Sequence, residues 1–136
     1  MSDFLLHPQL LADTHPVCDL GLCTVRLMDD ARWPWLILVP RHPFLREIVD
    51  LADEDQVALL QDIGRTSRVL QRLYRTDKLN VAALGNMVPQ LHVHVISRRS
   101  DDDAWPRPVW GHGAAEPFTP KALSQRLREL AGALTG

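Results

Sequence analysis

Gln90-Leu91-His92-Val93-His94-Val95-Ile96 places two histidines one apolar residue apart inside a β-branched run. Successive side chains of an extended strand point to opposite faces, so Gln90, His92 and His94 share one face and Leu91, Val93 and Val95 the other. Two members of this row are imidazoles, whose unperturbed pKa of about 6.5 lies closer to neutrality than that of any other side chain. Taken alone, the pair fits a decorated solvent face or half of a metal site as well as a catalytic strand. Its surroundings have to decide.

Upstream, Leu79-Asn80-Val81-Ala82-Ala83-Leu84-Gly85-Asn86-Met87-Val88-Pro89 leads into the row, and Ser97-Arg98-Arg99 follows it. Asn80 to Leu84 and Leu91 to Ser97 read as strands joined through Gly85-Asn86 in an antiparallel hairpin. Leu22 to Met28 alternates apolar and polar residues as a half-buried strand does. Asp29-Asp30-Ala31-Arg32 then turns the chain into a second strand, Trp35 to Val39. Arg46-Glu47-Ile48-Val49 reads as a further extended piece. Asp53 and Gln56 have capping-box spacing, and Val57, Leu60, Ile63, Val69, Leu70 and Leu73 recur at helical intervals, which predicts a helix to about Tyr74. Thr119 as N-cap and Pro120 at the first helical position open a last helix through Leu123, Leu127, Leu130 and Leu134. Phe4 to Leu11 reads as a short helix or arm broken by His15-Pro16. Strands and helices segregate, so the class is α+β: an antiparallel sheet of about five strands, a long central helix and a C-terminal helix.

With 136 residues and no repeat or linker, residues 1–136 are read as one domain. A net charge of −2 argues against a protein that works on nucleic-acid backbones, which needs a concentrated basic stripe. Cys18 and Cys23 are too few for a disulfide framework and read as free thiols. No apolar run approaches the ~20 residues of a membrane span, and no secretory signal opens the chain, so a cytoplasmic protein is expected.

These residues resemble the histidine triad (HIT) family of nucleotide-binding hydrolases and transferases, whose signature His-φ-His-φ-His-φ-φ, with φ apolar, follows a turn rich in Gly and Asn. The resemblance runs from about Leu22 to Arg98 and includes the earlier strand that ends in Pro40. It implies an HIT-like fold and a nucleotide phosphohydrolase or nucleotidyltransferase acting at the α-phosphate of an AMP-like or dinucleoside polyphosphate substrate, through a nucleotidyl-histidine intermediate. The nucleophile maps to His92, oriented by the backbone carbonyl of residue 90, and His94 maps to a phosphate hydrogen-bond donor. Gln90 replaces the first histidine, Trp35 stands where many members have a histidine, and Met87 where a Ser or Thr is common. Asp29 lies where the family holds ribose hydroxyls, or else closes a turn. Asn86 falls near the phosphate or sugar, or forms a plain hairpin turn, and Asn80 binds ligand or opens a strand. The implied partners are a purine nucleotide or nucleotide conjugate and a second copy of the chain; no cofactor, nucleic acid or membrane is expected.

Two other classes compete. A nucleotide-binding module with little turnover fits the departures at Gln90, Trp35 and Met87. A metal protein built on His92 and His94 lacks a third ligand at suitable spacing, so no metal site is expected. Leu5, Leu22, Leu27, Ile37 and Leu38 are base-pocket walls or core. Arg98 and Arg99 attract phosphates or are a solvated surface pair, Asp101 to Asp103 bind a cation or are simply solvated, and His112 approaches the site of a neighbouring subunit or is exposed and idle. Trp105 and Trp110 lie in a Pro- and Gly-rich loop that packs across the sheet, or forms a lid or subunit contact.

Overall fold

The computed structural model describes residues 3–136. The elements are α1 (Pro8–Asp13), β1 (Thr14–Asp19), β2 (Cys23–Met28), β3 (Trp35–Pro40), α2 (Asp53–Leu73), β4 (Lys78–Ala82), β5 (Val93–Arg98) and α3 (Pro120–Thr135). Five strands form one antiparallel sheet in the order β1-β2-β3-β5-β4, so the fold is α+β.

The sheet has five strands, but one differs from the expectation. The segment Arg46 to Val49 is not extended; a single 3-10 turn occupies Ile48–Asp50, tied by Asp50 accepting from the backbone N–H of Glu47 at 2.9 Å. The fifth strand is β1, which contains His15-Pro16. Proline fits there because β1 is an edge strand and its register slips between Pro16 and Cys18, where a missing ladder donor is tolerated. The capping box expected at Asp53 and Gln56 does not form either. The N-cap is Ala52, and the Gln56 amide instead donates to the Leu51 carbonyl at 3.0 Å. At α3 the expected cap is present, with Thr119 Oγ1 accepting from the Ala122 N–H at 3.2 Å. The strands β4 and β5 pair as expected, yet residues 83–92 connect them in place of a tight turn.

Both faces of the sheet are covered. Val25, Leu27, Leu36, Leu38, Val93 and Val95 face α2 and α3 in the larger core. Trp35, Ile37, Val39 and Ile96 face the other way, against α1 and the loop that carries Ala104 and Val109. Double coverage explains why β3 reads as an unbroken apolar run. Among the described residues no helix is long and apolar enough to cross a membrane.

The second cover has little regular structure and depends on charge. Arg98, expected in solvent, is only 1% exposed. Its guanidinium donates to Asp102 at 2.7 and 3.0 Å, to Asn80 Oδ1 at 2.8 Å and to the Arg107 carbonyl at 2.8 Å. Asp102 also accepts from the backbone N–H groups of Arg99, Ala104 and Trp105, which folds the loop around one carboxylate. Burial alone would raise the pKa of that carboxyl, but the hydrogen bonds from Arg98 and Arg99 outweigh it and hold it well below the usual range. Asp103 and His112 are likewise engaged, bonded to each other at 3.0 Å.

Removing one partner of a buried pair leaves the other charge uncompensated, which costs about 3–5 kcal/mol. Asp102→Ala should therefore lower unfolding stability by about that amount, and Asp101→Ala, at an exposed neighbour, by under about 1 kcal/mol. Urea denaturation of both variants checks the contrast.

Candidate active site

The register of β3 on β5 places Ile37 opposite His94 and Trp35 opposite Ile96 on the face away from α2. Trp35 therefore lies diagonal to His94, within reach of a long aromatic side chain. Its indole Nε1–H donates to His94 Nδ1 at 2.9 Å. A nitrogen that accepts cannot carry the proton, so neutral His94 holds its hydrogen on Nε2. Burial, and secondarily the neighbouring His92, push the His94 pKa down to about 4. The ring is neutral at physiological pH and acts as a hydrogen-bond donor, not a cation.

His92 stands just before β5, with its ring centroid 5.0 Å from that of His94. Its Nδ1 lies 2.7 Å from the Gln90 carbonyl. A carbonyl only accepts, so Nδ1 carries the hydrogen and Nε2 the free lone pair. The two histidines thus adopt opposite tautomers: Nε2 of His92 is an electron-pair donor and Nε2 of His94 a proton-bearing one.

Both rings line a cleft of about 340 Å³. Leu10 and Asp13 of α1 form one wall and Trp35 and Ile37 the floor. The 84–88 loop, with Asn86, and the indole of Trp110 close the remaining sides. Trp110 packs edge-on against His94 at 5.1 Å between centroids and against Trp35 at 6.0 Å. Gly85 adopts φ 73°, a conformation that disfavours side chains and that turns the 84–88 loop back over the histidines. Among the described residues no Lys or Arg lines the cleft, and the one carboxylate that does is Asp13.

Other candidates lie elsewhere. The Gln90 side chain points to the N-terminal segment: Oε1 accepts from the His7 N–H at 2.8 Å and Nε2 donates to the Leu5 carbonyl at 2.9 Å. Residue 90 thus serves His92 with its main chain and fastens the segment leading into α1 with its side chain. Asp29 does not line the cleft; Oδ1 accepts from the Phe118 N–H at 3.1 Å and lies 3.2 Å from His15 Nε2, anchoring the approach to α3. Asn80 is also absent from it, since Arg98 holds its amide oxygen. Asn86 does line it. Of the apolar candidates only Ile37 does so; Leu22, Leu27 and Leu38 belong to the helix-facing core, and Leu5 is exposed. The sequence reading missed Asp13 and gave Trp110 no place beside the histidines. A proline-capped helix start at His7-Pro8 and a tryptophan between prolines and glycines are the signals those positions carry. Among the described residues no group of His, Cys, Asp and Glu is arranged to hold a metal ion.

A family model for the HIT domain matches residues 10–101. Among solved structures the chain is similar to a histidine triad protein from Marinobacter aquaeolei VT8, at 47% identity and a TM-score of 0.94, covering 97% of this chain and 96% of that one. A histidine triad protein from Bradyrhizobium japonicum matches at 45% identity and a TM-score of 0.93 over 96% and 98% of the two chains. One from Sinorhizobium meliloti 1021 matches at 42% and 0.93 over 96% and 97%. None of the curated proteins compared matches.

The low pKa of His94 carries a stability consequence. The unfolded chain takes up this proton near pH 6.5 and the folded chain only near 4, so the contribution is complete above about 6.5 and is lost as pH falls between the two. The loss amounts to at most roughly 3 to 4 kcal/mol. Urea midpoints measured from pH 7 to 4 should fall accordingly, and His94→Phe should flatten the slope over that interval.

Proposed function

Since the chain belongs to the histidine triad family, we propose that it is a nucleotide hydrolase or nucleotidyltransferase in which His92 attacks the α-phosphorus of an AMP-like substrate. The observation that carries this reading is the 2.7 Å contact between His92 Nδ1 and the Gln90 carbonyl, which leaves Nε2 as the free base on a ring lining the cleft. Attack forms an Nε2–phosphorus bond as the bond from phosphorus to the leaving group breaks. The ring then becomes cationic, and its Nδ1–H bond to the carbonyl strengthens as the charge develops. His94 offers Nε2–H to a non-bridging phosphate oxygen, a donor that Trp35 fixes in direction. Water, or a second acceptor, takes the nucleotidyl group from His92 and restores the free imidazole.

The cleft favours one substrate type within this class. Apart from the two histidines, Asn86 and Asp13 its walls are apolar and aromatic, and among the described residues no Lys or Arg lines it, so a compact nucleoside phosphoramidate or adenylate suits it better than a chain of several phosphates. The same scarcity of charge, with the exposed thioether of Met87 at its mouth, favours a second reading: a nucleotide-binding module with little turnover. A purine nucleotide or conjugate is the partner under both. In this reading Gln90 is a positioning residue.

Adenosine phosphoramidate separates the two. His92→Ala should reduce AMP release by a factor on the order of 10³ or more while nucleotide binding stays measurable. Gln90→Ala keeps the carbonyl and loosens only the N-terminal segment, so kcat should hold while KM rises. A parental protein that binds nucleotide without releasing AMP would favour the binding module, and an active His92→Ala would remove the nucleophile.

The proposal includes a two-fold homodimer in the cytoplasm. Val57 and Leu60 on α2 are 57% and 68% exposed, along an apolar groove, and β4 is a free sheet edge carrying exposed Val81. Identical surfaces paired about an axis would cover all three. Light scattering at micromolar concentration should give twice the 15.4 kDa of one chain, and Leu60→Asp should shift it toward one.

A further inference from the structure

Asp13 is the one carboxylate among the described residues that line the histidine cleft, and no step assigned to His92 or His94 uses it. It closes α1 on the same helix face as Leu10, three residues earlier, and it is exposed, so its oxygens are open to a ligand. Gln9 Nε2 donates to its Oδ2 at 2.9 Å, which restrains the carboxylate, and among the described residues Oδ1 has no donor. The next residue, Thr14, opens β1, and β2 and β3 separate β1 from β5. Three strand spacings put the main chains at Asp13 and His94 about 14 Å apart across the sheet. Leu10, Met28 and Ile37 line the cleft between them, an apolar stretch with a polar group at each end.

The two ends suit different parts of one ligand. A phosphate belongs beside His94, whose Nε2–H donates, and a carboxylate repels it. Along a nucleotide the ribose hydroxyls stand near the phosphate and the outer edge of the base stands farthest from it. The apolar stretch from Ile37 to Leu10 fits the faces of a purine, which leaves the purine's edge at Asp13. An ionised carboxylate only accepts hydrogen bonds, so it chooses among bases by the donors they present. Guanine offers two adjacent donors on that edge, N1–H and the 2-amino group, one for each carboxylate oxygen; Oδ2 has a second lone pair beside the one Gln9 occupies. Adenine offers one amino donor next to the lone pair of N1, which a carboxylate oxygen repels. Hypoxanthine keeps N1–H and lacks the 2-amino group.

We propose that Asp13 makes the cleft selective for guanine nucleotides by accepting from N1–H and the 2-amino group of the base. The inference rests on the nucleotide reading of the cleft and adds to it the choice of base. GMP, IMP and AMP, titrated separately into the full chain by calorimetry, test it. GMP should bind about fivefold or more tighter than AMP, with IMP between the two. Asp13→Asn keeps the size of the side chain and an acceptor for the Gln9 amide, but sets an NH2 donor in place of one oxygen. Its preference for GMP over AMP should fall to about one or reverse, because a carboxamide matches the amino donor and N1 acceptor of adenine. Loosening of α1 alone would weaken all three ligands together and leave their ratios standing. AMP binding to the parental protein as tightly as GMP, IMP binding no tighter than AMP, or the parental preference retained in Asp13→Asn overturns the role of Asp13 and leaves the nucleotide reading intact. Failure of all three to bind overturns both.

Discussion

The antiparallel register of β3 on β5 is the constraint on which the remaining architecture depends. Ile37 opposite His94 brings the Trp35 indole diagonally onto the imidazole, and one hydrogen bond then fixes both ring orientation and tautomer. The same alternation sends Leu36, Leu38, Val93 and Val95 to the helices. A slip of one residue would exchange these sets, burying imidazoles against α2 and exposing aliphatic side chains to the cleft. Register, core and site are therefore one specification, and the apolar core supplies the rigidity with which the histidines are held.

Polar groups organise what that core leaves uncovered. On the α2 side, Asp62 reaches from the helix to accept from the Leu22 and Cys23 N–H groups, both at 3.0 Å, and ties the helix to the start of β2. On the other side, Asp102 serves as acceptor for a side chain and three backbone donors, so a loop with no strand or helix of its own still presents Val109 and Trp110 in fixed positions. Irregular backbone can cover a sheet when its own polar groups are satisfied in this way.

Local pattern made the strands β2, β3 and β5 and the helices α2 and α3 legible, because each carries its period within its own residues. The strand β1 was hidden: Thr14-His15-Pro16-Val17-Cys18-Asp19 lacks a clean alternation, and its pairing comes from β2. Arg98 was misread for a related cause. Its burial depends on a partner four residues later, inside an acidic run whose members have three separate fates. Asp29 and Asn80 were singled out by their places in a familiar order, but both side chains are taken up by structural hydrogen bonds, whereas the cleft gathers residues from α1 to Trp110 that no local signal associates. What could be read was chemistry confined to a few neighbouring residues; what could not was chemistry assembled across the fold.

Residue 90 divides its labour between backbone and side chain, and this bears on which changes the site tolerates. The acceptor that orients His92 is a carbonyl, which all twenty amino acids possess, so substitution at this place leaves it intact. The side chain is free for another task, here the fastening of the segment from Leu5 to His7. Whatever side chain stands there, the ring two residues away keeps its acceptor.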